Sequence, residues 1–208
     1  MTDLHAELAA IYALYAAIAA QGQAGGKLLY VGKLDQQGSR LMRAANIAGA
    51  ASLGATADPA LQRQAIREGA ADFLVTNLDE ALRILKNEIR KRQTVAVCVA
   101  AAPEAIEAEM QARGVQPDLL PPNSDMEVFL SQGAVRIEPA ALPANQVFIA
   151  IEQPPADWEP KALALIPESD QLNRRWLRLS PRYLGPHVRR IRSLACEKAI
   201  ADQLTSEP

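Results

Sequence analysis

Apolar residues recur every three to four positions at Leu4, Leu8, Ile11, Leu14, Tyr15 and Ile18, the spacing of one face of a helix. Gly22 and the Gly25-Gly26 pair stop that helix. The pattern then changes period. Short apolar runs at residues 27–31, 51–55, 73–75, 94–100 and 118–120 read as strands, and helical patterns of about ten residues separate them. The predicted helices cover 39–48, closed by Gly49, then 59–68, 78–91 and 104–113, ended by Gly114. Asp58-Pro59 supplies an N-cap and a first-turn proline. Asn77 caps the helix whose Leu78, Ala81, Leu82 and Leu85 share one face. Strands alternating with helices imply βαβ units and a parallel sheet. The run at 94–100 is apolar throughout, as a central strand covered on both faces requires.

Beyond Pro121-Pro122 the rhythm loosens and proline becomes dense. Residues 146–151 and 162–166 read as further strands, 172–179 and 186–204 as helices. The predicted fold is α/β: a doubly wound parallel sheet (Rossmann-like) with an N-terminal helix at 1–24, the sheet domain at 25–125, and a β/α extension at 126–208 whose basic helices pack on the same domain.

Chemistry centres on residues 32–40, where the first strand turns into the second helix. In open α/β sheets this turn presents backbone N–H groups to a phosphate. Gly32 and Gly38 are the glycines here, with Lys33, Leu34, Asp35, Gln36 and Gln37 between them. Lys33, Ser39 and Arg40 offer donors to an anion, Gly38 permits close approach, and Asp35 opposes it. Ser39 also serves as a plain N-cap. The candidate cofactor-binding set is Gly32, Lys33, Asp35, Gln37, Gly38, Ser39, Arg40 and Thr56, with no catalytic and no metal residue assigned.

Several motifs in this span resemble the central dinucleotide-binding domain of urocanase. Gly25-Gly26-Lys27 before an apolar strand and a glycine is similar to that domain's opening. Gly49-Ala50-Ala51-Ser52-Leu53 begins a segment that runs alongside the family pattern. Asn77-Leu78-Asp79-Glu80-Ala81-Leu82 resembles its acidic helix start, and Arg113-Gly114-Val115-Gln116-Pro117-Asp118 its Arg-Gly-Val-x-Pro-Asp element. The resemblance covers about half of the chain.

It implies a Rossmann-like fold and, for the enzyme, tightly held NAD⁺ that adds to the imidazole of urocanate before water does. Carried over position by position, the family's glycine-rich turn lies over residues 32–40 and keeps only Gly32 and Gly38. Its acidic residue after the second strand falls on Thr56, its arginine on Leu61. Its Gly-Asn-Ala turn falls on Ala101-Ala102-Pro103, and its Gln-Thr-Ser-Ala-His run on Asn123-Ser124-Asp125-Met126-Glu127. The family's catalytic cysteine has no matching motif. The resemblance therefore implies a diverged domain acting as a binding or assembly module, with dinucleotide binding altered or lost. The alternative is an enzyme using the 32–40 turn for NAD or for a sugar phosphate. The second option rests on a weaker resemblance to SIS-type phosphosugar-binding domains, carried by residues 26–32 and Gly38-Ser39.

Charge divides the chain. Up to Asp170 there are 14 basic and 21 acidic residues, beyond it 8 and 3. Arg174, Arg175, Arg178, Arg182, Arg189, Arg190, Arg192 and Lys198 lie among Trp176, Tyr183 and His187. Such interleaving suits phosphate or nucleic acid; the plainer reading pairs these residues with the acidic remainder, within a chain or across a homo-oligomer. Nucleic acid is not the expected partner; a small anion, a nucleotide or sugar phosphate, is, together with a second copy of the chain in a homo-oligomer. Cys98 and Cys196 form no disulfide framework. The N-terminus lacks a basic leader, and no apolar run reaches eighteen residues. These features predict a cytoplasmic protein with no membrane partner.

Overall fold

A computed structural model describes residues 4–205. Helix α1 (Leu4–Ala20) precedes β1 (Leu28–Lys33), α2 (Gln36–Ala48), β2 (Ala51–Ala55), α3 (Pro59–Arg67), β3 (Phe73–Val75) and α4 (Leu78–Arg90). Then follow β4 (Ala96–Val99), α5 (Pro103–Ala112), β5 (Leu119–Leu120), α6 (Glu127–Ser131) and β6 (Val135–Arg136). All six strands are parallel, in the order β3-β4-β2-β1-β5-β6. The fold is the predicted doubly wound α/β sheet.

Strand period places alternate side chains on opposite faces. Leu29 and Val31 of β1, with Ala96 and Cys98 of β4, join a core beneath α1, α2 and α3. Leu28 and Tyr30, with Val97 and Val99, join a second core beneath α4, α5 and α6. Asp118 ties β1 to β5: its carboxylate accepts from the Leu28 N–H at 2.7 Å, and its own N–H donates to the Leu28 carbonyl at 2.9 Å. Asn77 caps α4 by accepting from the Glu80 N–H, and Asp58 caps α3 by accepting from the Ala60 N–H.

The rest of the chain forms β7 (Gln146–Glu152), α7 (Trp158–Leu165), α8 (Gln171–Tyr183), β8 (Ile191–Glu197) and α9 (Lys198–Thr205). Two predictions fail here. Residues 162–165 are helical and Ile166 is the extended C-cap, because Trp158, Ala162 and Ile166 at four-residue spacing are buried together against Leu177 and Leu204. Within 186–204 the chain is not one helix: Ile191–Glu197 pairs antiparallel with Gln146–Glu152 along its whole length, and only α9 is helical after it. That register could not be read locally, since Ile191, Leu194 and Ala195 fit helical spacing equally well.

One face of the β7–β8 ribbon packs on α1 and α8, the other on α7 and α9. The scarce aromatics concentrate at the first contact. Trp176 is fully buried, with its ring 5.0 Å from Tyr12, 5.5 Å from Tyr15 and 6.4 Å from Phe148. Its indole N–H donates to the Ser193 carbonyl at 2.9 Å, as a buried indole must. Tyr12 donates to Asn173 Oδ1 at 2.7 Å and Tyr15 to the Leu172 carbonyl at 2.8 Å. Among the described residues, no helix is long and apolar enough to cross a membrane.

Close packing of α2 on β1 depends on Gly38. A Cβ there would lie 2.3 Å from the Lys33 carbonyl oxygen, a backbone atom that cannot turn aside. At Gly54 the obstructions are the ends of Val31 and Met42, 2.7 and 2.8 Å away, and Met42 can repack. We expect Gly38→Ala to cost about 1–3 kcal/mol, and Gly54→Ala less. Urea unfolding checks this: the Gly38→Ala midpoint falls further at unchanged slope.

Candidate functional site

Strands β2 and β5 leave β1 on opposite sides, so the switch point of the sheet is the crevice beyond the carboxyl ends of β1 and β5. Ligands of open α/β sheets bind at that place. Residues 32–40 sit on it. Register slips between Tyr30 and Gly32, a bulge in β1, and Gly32 adopts φ 70°, a left-handed conformation that suits glycine. Leu34 then donates its N–H to the Ala55 carbonyl at 2.8 Å, which brings Thr56 to the same edge.

The helix begins three residues earlier than predicted, and its cap is Asp35 rather than Ser39. The Asp35 carboxylate accepts from the N–H groups of Gln37 at 2.9 Å and Gly38 at 3.1 Å. Ser39 lies in the first turn, its N–H donating to the Asp35 carbonyl at 2.9 Å. These side-chain and backbone acceptors take the amides that a bound phosphate needs. Arg40 is committed as well: its guanidinium pairs with Glu7 of α1 through two 3.0 Å Nε contacts and a shorter one from Nη2, and its Nη1 reaches Gln37 Oε1 at 3.4 Å. Thr56 is buried in a local turn, its hydroxyl accepting from the Asp58 N–H at 3.2 Å and its carbonyl from Gln62 at 2.8 Å. Lys33 is exposed.

Three side chains that sequence reading missed close the crevice. A Cβ on Gly32 would lie 3.3 Å from Met126 Cε and 3.9 Å from Glu107 Oε1. The Tyr30 hydroxyl, beneath, contacts Glu107 Oε1 at 3.2 Å and the Pro103 carbonyl at 3.3 Å. The loop bearing Met126 is held from β6, where Arg136 donates to the Ser124 carbonyl at 2.6 Å and pairs with Glu127 at 3.0 Å. Burial pushes the Glu107 carboxyl above the usual range; the Tyr30 hydrogen bond opposes this, and the charges of Glu104 and Asp125 reinforce it. Burial, with Glu107 beside it, also raises the Tyr30 phenol, which stays protonated. Among the described residues no group of three or more His, Cys, Asp and Glu is arranged to hold a metal ion.

These residues do not fit a dinucleotide. Its pyrophosphate would have to displace Asp35 from the helix amides and lie beside Glu107. Two unit charges about 4 Å apart repel by about 4 kcal/mol at an effective dielectric of 20. The helix dipole returns only about 0.3–1 kcal/mol, and exposed Lys33 adds little in water. Nor does either thiol stand ready as a nucleophile. Burial pushes both Cys98 and Cys196 up to about 11, so neither is a thiolate near neutral pH.

On the far side of α2, a cleft of ≈ 340 Å³ is bordered by Asp35, Ser39, Arg40 and Arg43. Arg43 is spent there on the Leu184 carbonyl at 2.6 Å and Glu68 at 3.1 Å.

Compared with known families, the chain matches the model described as the urocanase Rossmann-like domain over residues 8–126. The match spans α1 through β5 and ends at Met126, the side chain that packs over Gly32.

Two outcomes follow from this geometry. Asp35→Ala removes the acceptor of two helix amides and lowers stability by about 1 kcal/mol in chemical denaturation. Glu107 has a folded pKa above its unfolded value, so its ionisation costs stability as pH rises through the folded pKa, and nothing below the unfolded one, about 4.3. Glu107→Gln therefore melts slightly higher than the parent at pH 8, and the gain disappears by about pH 4. An advantage that grows on acidification would contradict this assignment.

Proposed function

The chain belongs to the urocanase Rossmann-like domain family, and from that premise we propose that it is a non-catalytic member whose dinucleotide seat is filled by its own side chains. The observation that carries this reading is the Asp35 carboxylate on the Gln37 and Gly38 amides. Met126 and Glu107 against Gly32 support it from the opposite wall. The same occupied amides count against an enzyme holding NAD or a sugar phosphate in the 32–40 turn. Two free, buried thiols agree with a cytoplasmic setting.

What remains for such a domain is binding or assembly, and the partner this reading favours is a second copy of the chain. The open sheet edge at β3 exposes Phe73 and Leu74 by 48% and 42%, with Ile66 nearby in sequence at 41%. Edge strands with exposed apolar side chains invite pairing. A cleft at that edge is lined by both signs, Arg83 and Arg182 with Asp72 and Glu88. A two-fold axis sets each such patch against its own copy, so a surface carrying both signs complements itself.

Two measurements test the reading. Titration calorimetry with NAD⁺ shows no binding, and acid extracts of the purified protein contain no dinucleotide; stoichiometric NAD⁺ would overturn the proposal. Light scattering gives a dimer that Phe73→Glu with Leu74→Lys converts to monomer. A wild-type monomer would remove the assembly part alone.

A further inference from the structure

The basic C-terminal segment spends three of its guanidinium groups on the architecture of the fold. Arg174 donates to the carbonyls of Leu163, Ile166 and Pro167 at the end of α7. Arg175 donates to the Ile47 carbonyl at 2.6 Å, covering the carboxyl end of α2. Arg182 stacks 5.2 Å above the Tyr183 ring. These contacts explain three of the cations without any ligand.

Arg189, Arg190 and Arg192 form a different group. They converge where β7 ends and β8 begins, around a cleft of ≈ 360 Å³ whose lining includes Trp158 and one carboxylate, Glu159. Their backbone is fixed by pairing: Gln153 donates its N–H to the Arg190 carbonyl at 2.9 Å, and Arg192 pairs with Ile151 across the ribbon. Arg192 is also held by its side chain, with Nη1 donating to the carbonyls of Arg189 at 2.9 Å and Ile191 at 3.1 Å, and Nε to Glu159 at 3.3 Å. Arg189 and Arg190 are exposed, and among the described residues their side chains make no hydrogen bond or ion pair. One acid against three guanidinium groups leaves a surplus of two positive charges on this cleft, in a chain whose net charge is −2.

We propose that this cleft binds a phosphoryl dianion. A guanidinium offers a planar fork that matches phosphate oxygens. The volume lies in the range of small-molecule sites, and the surplus charge equals that of the ligand. Arg192, fixed by three acceptors, is the preorganised member, and Arg189 and Arg190 close on the ligand from the rim. The site is separate from the 32–40 turn, so it stands whether or not the reading of that turn does.

The test is calorimetric titration of the full chain with pyrophosphate, ADP, succinate and an oligothymidylate, in low and moderate salt. Pyrophosphate binds one to one, more weakly as salt rises, and the Arg189→Glu, Arg190→Glu double variant loses at least tenfold in affinity with an unchanged melting temperature. ADP binding more tightly than pyrophosphate supports the proposal with a nucleotide as the source of the phosphoryl group. Equal binding supports it with a free phosphate as the source. The proposal is overturned if pyrophosphate fails to bind, if the double variant binds it as well as the parent, if succinate binds more tightly, or if only the oligonucleotide binds. Asp35→Ala serves as a control: it leaves pyrophosphate affinity unchanged if the arginine cleft is the site, and alters it if the 32–40 turn is.

Discussion

The Asp35 carboxylate, resting on the first free amides of α2, is the interaction from which the rest of this molecule follows. A helix start must satisfy its unpaired N–H groups with a cap, water or a ligand. Dinucleotide-binding sheets leave them for the pyrophosphate; this chain satisfies them internally. The helix can then sit hard against β1, with Gly38 over the Lys33 carbonyl. Both ends of α2 are consequently fixed by other elements. Glu7 of α1 holds Arg40 near the start, and Arg175 of α8 covers the Ile47 carbonyl near the end. Through α1 and α8 that order reaches the Trp176 cluster and the antiparallel ribbon.

Electrostatics agrees with packing. Where the fold would place a ligand's negative charge, the chain places Asp35 and Glu107, with the charges of Glu104 and Asp125 felt at the latter. An anion there gains a fraction of a kilocalorie from the helix dipole and loses several to repulsion. Positive charge has instead collected in the last segment, where Arg174 and Arg175 close helix ends and one group of three surrounds a cleft. The uneven charge of the chain thus has a local cause. The arginines beyond Asp170 answer carbonyls and an open cleft; their one ion pair among the described residues, Arg192 with Glu159, stays within the extension.

How far the sequence could be read depended on the range of the forces involved. Strand period, Asn77, Asp58-Pro59 and the closing glycines act within a few residues, and they placed β1 through β5 with small errors at the ends. Asp35 was visible but misjudged. A carboxylate in a glycine-flanked turn reads as an obstacle to an anion, and only its geometry makes it the cap. β8 was missed because its identity comes from pairing with β7, some 45 residues away. Glu107 carried no local signal, and Met126 showed only that a family motif had been replaced. Glu107 reaches Gly32 from α5 and Met126 from the loop after β5, and sheet order, not spacing, decides which segments meet.

The most direct test of the central claim is an amide nitrogen–proton correlation spectrum of the labelled protein, followed while NAD⁺ is added to millimolar concentration. If Asp35 holds the helix start, the Gln37 and Gly38 resonances stay where they are. Saturable shifts of those two amides with NAD⁺ at neutral pH would contradict the account.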